Sequence, residues 1–85
     1  MTVLYSESAK KQLKKLDNSV KRKILDYMDD VEKLADPRAR GKSLVGNLSG
    51  FWRYRVGDYR VLCKIQDEKL IVLVVDIGHR KEIYI

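Results

Sequence analysis

Three arginines stand close together in the stretch FWRYRVGDYR, residues 51–60: Arg53, Arg55 and Arg60. Apolar and basic residues alternate along this stretch, and its Gly-Asp pair is a typical two-residue turn of a β-hairpin. The pattern predicts two antiparallel strands joined at that turn. Because successive side chains of a strand point to opposite faces, the three arginines then share one face, with Arg55 directly opposite Arg60 and Arg53 diagonal to it.

The opposed pair Arg55 and Arg60 indicates an anionic ligand. Like charges directly opposite each other destabilise a sheet, on the order of a few tenths of a kcal/mol. A phosphate between them removes that repulsion, and the planar fork of a guanidinium group can donate two parallel hydrogen bonds to it. The sequence therefore predicts a phosphate clamp on this face. The alternative is that the long side chains simply spread apart in water.

Three further residues with functional groups follow later in the sequence: His79, Arg80 and Tyr84. A second turn with its tip at Asp67-Glu68 would bring residue 77 beside residue 58, and these side chains toward the arginine face. An imidazole gives or takes a proton near neutral pH. A tyrosine can stack on a base, bind a phosphate or transfer a proton. We expect His79 to be the proton-transfer candidate. A lone histidine is more often structural, however, and Tyr84 could instead be the last core aromatic.

The rest of the sequence predicts the elements that hold this hairpin. Residues 2–5 are β-prone, and apolar residues then recur at helical spacing in two segments separated by a break at residues 16–19. Pro37 ends the second helix, because it disfavours the α conformation in the residue before it. After an expected loop over residues 36–50, three strands are predicted, at residues 51–56, 59–65 and 70–77. The order β-α-α-β-β-β predicts a single α+β domain over residues 1–85, with a mainly antiparallel sheet and an N-terminal helical hairpin packed on one face.

Composition narrows the possible functions. The net charge is +6 and the pI is about 9.6, which favours an anionic partner such as nucleic acid. The single cysteine, Cys63, falls on the apolar face with Trp52 and Tyr59, so we expect it in the core rather than as a nucleophile. One histidine and one cysteine are too few for a zinc site, and the sequence has no Gly-rich phosphate loop, so no metal or cofactor is expected. The lone cysteine, the lack of a signal-peptide pattern and the lack of a membrane-spanning run predict a cytoplasmic protein without a membrane partner.

Two segments carry a family resemblance: LSGFWRYRVGDYRVLCKI, and VVDIGHRKEIY after it. Together with the helical hairpin they resemble the RelE-type toxins of type II toxin–antitoxin systems, within the RelE/ParE superfamily. The resemblance implies a metal-independent endoribonuclease that enters the ribosomal A site. There the ribose 2′-OH of the mRNA codon attacks the neighbouring phosphate, leaving a cyclic phosphate and a 5′-OH. It also implies site roles for the residues that match the family's positions, which are Arg53, Arg55, Arg60, Arg80 and Tyr84.

The match departs from the family at Arg53 and Arg55, where the best-known members commonly have lysine. Arginine stays protonated in proteins, so neither residue can act as a general base. We therefore expect Arg53, Arg55 and Arg60 to form the phosphate clamp. The base and acid must then come from His79, from Tyr84, from Arg80 in its family role, or from the ribosome.

Two other functions fit the same fold and composition. One is a ParE-like inhibitor of DNA gyrase that cuts no RNA, and the other is a non-catalytic basic RNA-binding module. The second is weaker, because the aromatic residues of the hairpin are expected to face the core rather than to offer bases a stacking platform. The resemblance also implies partners for the toxin: an acidic RelB-like antitoxin, the mRNA and rRNA of the ribosomal A site, and operator DNA reached only through the antitoxin.

Overall fold

The computed structural model describes residues 1–80. Within them, two helices and five strands follow the order β1, α1, α2, β2, β3, β4, β5. Their bounds are β1 Thr2–Tyr5, α1 Glu7–Lys14, α2 Asn18–Lys33, β2 Lys42–Ser43, β3 Trp52–Val56, β4 Tyr59–Gln66 and β5 Ile71–His79. The strands form a single sheet in the order β1-β5-β4-β3-β2, in which β1 runs parallel to β5 and the other neighbours are antiparallel. The α+β class and the helical hairpin are confirmed.

The two helices cover one face of the sheet. Ser6 begins α1, since its side-chain oxygen accepts a hydrogen bond from the Ala9 N–H at 3.1 Å, which satisfies one of the free donors of the first turn. The helices and the sheet share one buried core, formed by Ala9, Leu13, Ile24, Met28, Val31, Tyr54, Val61, Cys63, Val72, Val74 and Ile77. Fully burying a large apolar side chain contributes about 1.5–3 kcal/mol, so this layer fixes which face of each strand points inward. Neither helix within residues 1–80 is long and apolar enough to span a membrane.

The first hairpin has the predicted register. Val56 pairs with Tyr59, and Arg55 pairs with Arg60. Gly57 supplies the positive φ, 59°, that a tight two-residue turn of this kind requires.

The second hairpin differs from the prediction. Its turn is a short 3₁₀ segment, Asp67–Lys69, followed by Leu70 in the left-handed conformation at φ 56°. A β-bulge then interrupts the pairing of β4 with β5 between Leu62 and Cys63. The longer turn and the bulge move the register, so that Tyr59 pairs with His79 and Arg60 with Gly78. The expectation that residue 77 lies beside residue 58 is therefore wrong.

The segment predicted as a loop contains β2, which pairs with the start of β3. Side chains from the sheet hold this segment in place. The Tyr54 hydroxyl donates to the Pro37 carbonyl at 2.6 Å, and Trp52 Nε1 donates to the Arg40 carbonyl at 2.8 Å. Arg38 makes two hydrogen bonds of 2.9 Å to the Asp67 carboxylate, which tie the segment to the turn between β4 and β5.

Candidate phosphate-binding site

The face of the sheet that points away from the helices carries the arginines. Tyr54 lies between Arg53 and Arg55 in β3 and is fully buried against the helices, so strand alternation turns both arginines to the other face. On that face Arg55 stands directly opposite Arg60, and Arg53 is opposite Leu62. The predicted clamp of three arginines is thus brought together by one hairpin.

Arg60 occupies the middle of this group. Its Nη1 lies 3.5 Å from the Gly57 carbonyl oxygen and 3.3 Å from that of Tyr59, and it donates to both. Partial burial, and after it the positive charges of Arg55, Arg53 and Arg80, lower the pKa of the Arg60 guanidinium below its ordinary value. A bound anion would offset both effects, because an opposite charge nearby favours the protonated guanidinium.

Arg80 joins the same group from the end of β5. Its backbone N–H donates to the Asp58 carbonyl at 2.8 Å, which fixes the chain beside the hairpin turn. Its side chain is exposed, and its charge acts on Arg60. We call Arg53, Arg55, Arg60 and Arg80 the arginine cluster. A phosphate group is the ligand that this charge and donor geometry suit best.

Arg53 contributes an unsatisfied donor. Its Nε is buried and has no hydrogen-bond partner among the described residues. Leaving a buried donor unpaired costs about 1–3 kcal/mol. An acceptor bound beside Arg53 would recover that energy, so the atom is a second reason to expect an anion here.

His79 does not lie on the arginine face. It is the cross-strand partner of Tyr59, and the two rings meet edge to face with their centroids 5.5 Å apart. Because direct cross-strand partners share a face, and Tyr59 packs against the core, His79 is on the side that carries the helices. The expectation that His79 approaches the arginine face is therefore wrong. Its role in proton transfer stays a prediction. Tyr84 lies outside the described residues, and its role also stays a prediction.

Cys63 lies in the core, as its position on the apolar face indicated. Burial raises the pKa of its thiol to about 12. The reactive thiolate is therefore scarce near neutral pH, which agrees with a packing role. Across residues 1–80, no three His, Cys, Asp or Glu side chains gather into a group that could hold a metal ion.

Lys42 is a basic residue of this face that sequence reasoning missed. It pairs with Arg53 across the β2–β3 ladder and is exposed. A strand of two residues has no periodicity that could identify it, and only the register shows that Lys42 extends the arginine face. The alternation in the first hairpin could not place Lys42 on this face, because Lys42 belongs to a different strand.

Fold and site together define a class of small toxin. The family model described as ParE toxin of type II toxin-antitoxin system, parDE, matches residues 3–84, and the chain belongs to this family. It is a toxin of a type II toxin–antitoxin system, within the RelE/ParE superfamily.

Individual proteins match almost the whole length of this chain. Toxin RelG of Mycobacterium tuberculosis is 31% identical over 84 residues, which cover 98% of this chain and 94% of that protein. The toxin–antitoxin complex RelBE2 of the same species contains a chain that superposes with a TM-score of 0.84 at 30% identity, over 93% of this chain and 96% of that one. The intact RelBE toxin–antitoxin complex of E. coli matches with a TM-score of 0.72 at 20% identity, over 92% of this chain and 94% of that one, and shows the shared fold alone.

Proposed function

We propose that this toxin is a ribosome-dependent mRNA endoribonuclease that blocks translation by cutting the codon in the ribosomal A site. The observation that carries the proposal is the direct opposition of Arg55 and Arg60, with Arg53 and Arg80 beside them. Such a concentration of guanidinium groups is destabilising without a ligand, and it suits a phosphate whose charge increases during reaction. The similarity to RelE-type toxins supports the same reaction.

The proposed reaction is an in-line transesterification. The 2′-oxygen of the ribose forms a bond to the neighbouring phosphorus, and the bond from phosphorus to the 5′-oxygen of the next nucleotide breaks. The products are a 2′,3′-cyclic phosphate and a 5′-OH. The arginine cluster stabilises the extra negative charge on the non-bridging oxygens in the transition state, a contribution that is usually large.

Two protons must move in this reaction. One leaves the 2′-OH and one reaches the departing 5′-oxygen, and Arg53 and Arg55 remain protonated throughout. We propose that His79, Tyr84 or a group of the ribosome accepts the first proton, and that Arg80 or one of these groups assists the second transfer. His79 lies on the other face of the sheet, so its participation would need the substrate to reach around the end of β5.

The partners follow from the charge and from the relatives. RelBE2 and RelBE are complexes of a toxin with an antitoxin, and the net charge of +6 here suits an acidic RelB-like antitoxin. We propose that operator DNA is contacted through that antitoxin, and that the toxin acts in the cytoplasm, where translating ribosomes are found.

The experiment that tests this function maps mRNA 5′ ends after brief expression of the toxin. We expect new ends within translated codons. Arg60→Ala and Arg80→Ala should each slow cleavage on the order of a hundredfold, by analogy with removal of a single donor to a developing oxyanion. Lys14→Ala, an exposed charge removal on α1, should leave cleavage unchanged. Full cleavage by both arginine variants would show that the cluster is not the site.

A second function is favoured by one observation, the match to the ParE family model. A ParE-like toxin would inhibit DNA gyrase and cut no RNA. The same expression experiment separates the two, since DNA breaks without new mRNA ends would identify the gyrase inhibitor. RNA binding with neither lesion would identify the non-catalytic binding module.

A further inference from the structure

A cavity of about 210 Å³ opens beside the arginine cluster, at the edge of β3 that β2 leaves uncovered. Five residues line it: Tyr27, Gly41, Lys42, Arg53 and Arg55. Three of the five are cationic and none is acidic, so the cavity is electropositive. Two of its walls, Arg53 and Arg55, belong to the cluster, which makes the cavity continuous with the proposed phosphate clamp.

Close contacts hold the backbone wall of the cavity in place. Gly41 has φ 83°, and a Cβ atom there would lie 2.4 Å from the Arg53 carbonyl oxygen and 2.5 Å from Trp52 Nε1. The preceding residue, Arg40, accepts the Trp52 hydrogen bond and places its guanidinium 5.3 Å from the centroid of the Tyr27 ring. These contacts fix where the chain enters β2, and therefore where Lys42 stands.

The cavity is supplied with donors as well as charge. Arg53 Nε is buried without a partner among residues 1–80. The Leu44 N–H donates to the Phe51 carbonyl, so the odd-numbered residues of β3 turn their backbone groups toward β2. β2 begins at Lys42, opposite Arg53, so the ladder does not reach Arg55, and its alternation leaves the N–H of Arg55 on the uncovered edge.

We propose that this cavity binds a second backbone phosphate of single-stranded RNA, next along the strand from the one held by Arg60, and that Lys42 is its main side-chain contact. The proposal rests on the proposed function and extends it, because it gives the substrate strand a path from the arginine face over the edge of β3. Lys42 stands on the same face as its partner Arg53. It acts in this proposal as a binding residue, not as a participant in bond cleavage.

The test measures RNA binding without the ribosome. The probe is a short single-stranded 2′-O-methyl RNA, which lacks the hydroxyl needed for cleavage, and its affinity is measured over a series of salt concentrations. Each phosphate neutralised in a single strand contributes about 0.7 to the slope of log affinity against log salt. We expect Lys42→Ala to reduce the magnitude of that slope by about 0.7.

Two variants control for charge and for folding. Lys42→Arg keeps the charge and should keep the slope. Lys14→Ala removes the same charge from α1, away from the cavity, and should also keep it. No variant should unfold at a lower temperature than the wild type, because both lysines are exposed. Lys42→Ala removes a like charge opposite Arg53 and should melt at the wild-type temperature or slightly above it.

Two results would overturn the proposal: equal slopes for Lys42→Ala and Lys14→Ala, or no binding of the probe by the wild type at low salt. Both leave the proposed nuclease function to its own test, since cleavage is not the readout. Conversely, a toxin that cuts no mRNA but loses the slope contribution in Lys42→Ala would refute the nuclease and retain the cavity as a phosphate site.

Discussion

Replacing Arg55 with Gln should stabilise the free toxin. Arg55 and Arg60 are direct cross-strand partners, and Gln keeps a long polar side chain while removing one of the two charges. Cross-strand pairs contribute about 0.2–1 kcal/mol, and like charges oppose folding by similar amounts. For a domain of this size, 1 kcal/mol moves the melting temperature by about 4–8 °C. We therefore expect Arg55→Gln to melt about 1–8 °C higher than the wild type at low salt.

Salt should remove this gain. The Debye length falls from about 10 Å at 0.1 M to about 3 Å at 1 M ionic strength. Arg55 is exposed and Arg60 is partly exposed, so the repulsion between their guanidinium groups is largely screened at the higher concentration. The measurement is thermal unfolding followed by circular dichroism at both salt concentrations. The difference between Arg55→Gln and the wild type should shrink toward zero at 1 M.

A double-mutant cycle isolates the pair. Arg60→Gln alone also loses the hydrogen bonds to the carbonyls of Gly57 and Tyr59. Its stability change therefore combines the loss of those bonds with the relief of charge repulsion. Comparing both single variants with the Arg55→Gln/Arg60→Gln double variant cancels those bonds and leaves the interaction between the two arginines. A coupling energy of zero or of favourable sign at low salt would refute the argument that this face is strained by its charges and relieved by an anion.

Three further predictions concern stability and titration. Gly41→Ala should lower the free energy of unfolding more than Gly46→Ala, because both glycines have positive φ but only Gly41 lacks room for a Cβ. Placing alanine in the left-handed conformation costs about 1–2 kcal/mol at either position. Equal losses of stability in urea unfolding would contradict the expected clash at Gly41. The Arg38 hydrogen bond holds the pKa of Asp67 below its ordinary value. The stability from this pair is therefore present above that ordinary value and is lost as the pH falls through the lowered pKa. Arg38→Ala should move the Asp67 pKa upward in an NMR titration, and an unmoved pKa would show that the bond is absent in solution. Burial raises the pKa of Cys63 from 9.0 to about 12. The contribution of the protonated thiol to stability is therefore complete below pH 9.0 and is lost between pH 9.0 and 12, by up to about 1.4 kcal/mol per pH unit. Cys63→Ala should flatten the pH dependence of unfolding in that range, and an unchanged profile would mean that the thiol is not buried.

The first hairpin could be predicted residue by residue because its turn has the shortest length that closes a β-hairpin. Gly57-Asp58 leaves one register, and every facing pair follows from it. The second turn gave no such constraint. Its residues form a 3₁₀ segment that ends in a left-handed leucine, Leu70, a conformation that leucine rarely adopts. The bulge, where the pairing with β4 skips Val75 of β5, likewise has no local signal in the sequence.

The candidate site, like the fold, could be predicted only in part from the sequence. The arginines of the hairpin were predictable, because alternation alone places them on one face. Lys42 was not, because its position depends on a two-residue strand held by contacts from Trp52 and Tyr54. His79 was placed on the wrong face, since its side is fixed by the Tyr59 pairing that the shifted register creates.

The position of β5 inside the sheet, between β1 and β4, has a consequence for how the toxin is made. β5 pairs with β4 on one side and with β1 on the other, and the Ser6 hydroxyl donates to the Val75 carbonyl across a separation of 69 residues. Contacts this distant in sequence form late, because closing a long loop is entropically costly. β5 is also the last strand in chain order, so during synthesis the helices and the first hairpin leave the ribosome before the strand that joins β1 to the rest of the sheet. Arg80 follows β5, so the nascent chain carries an incomplete arginine cluster until the sheet itself can close.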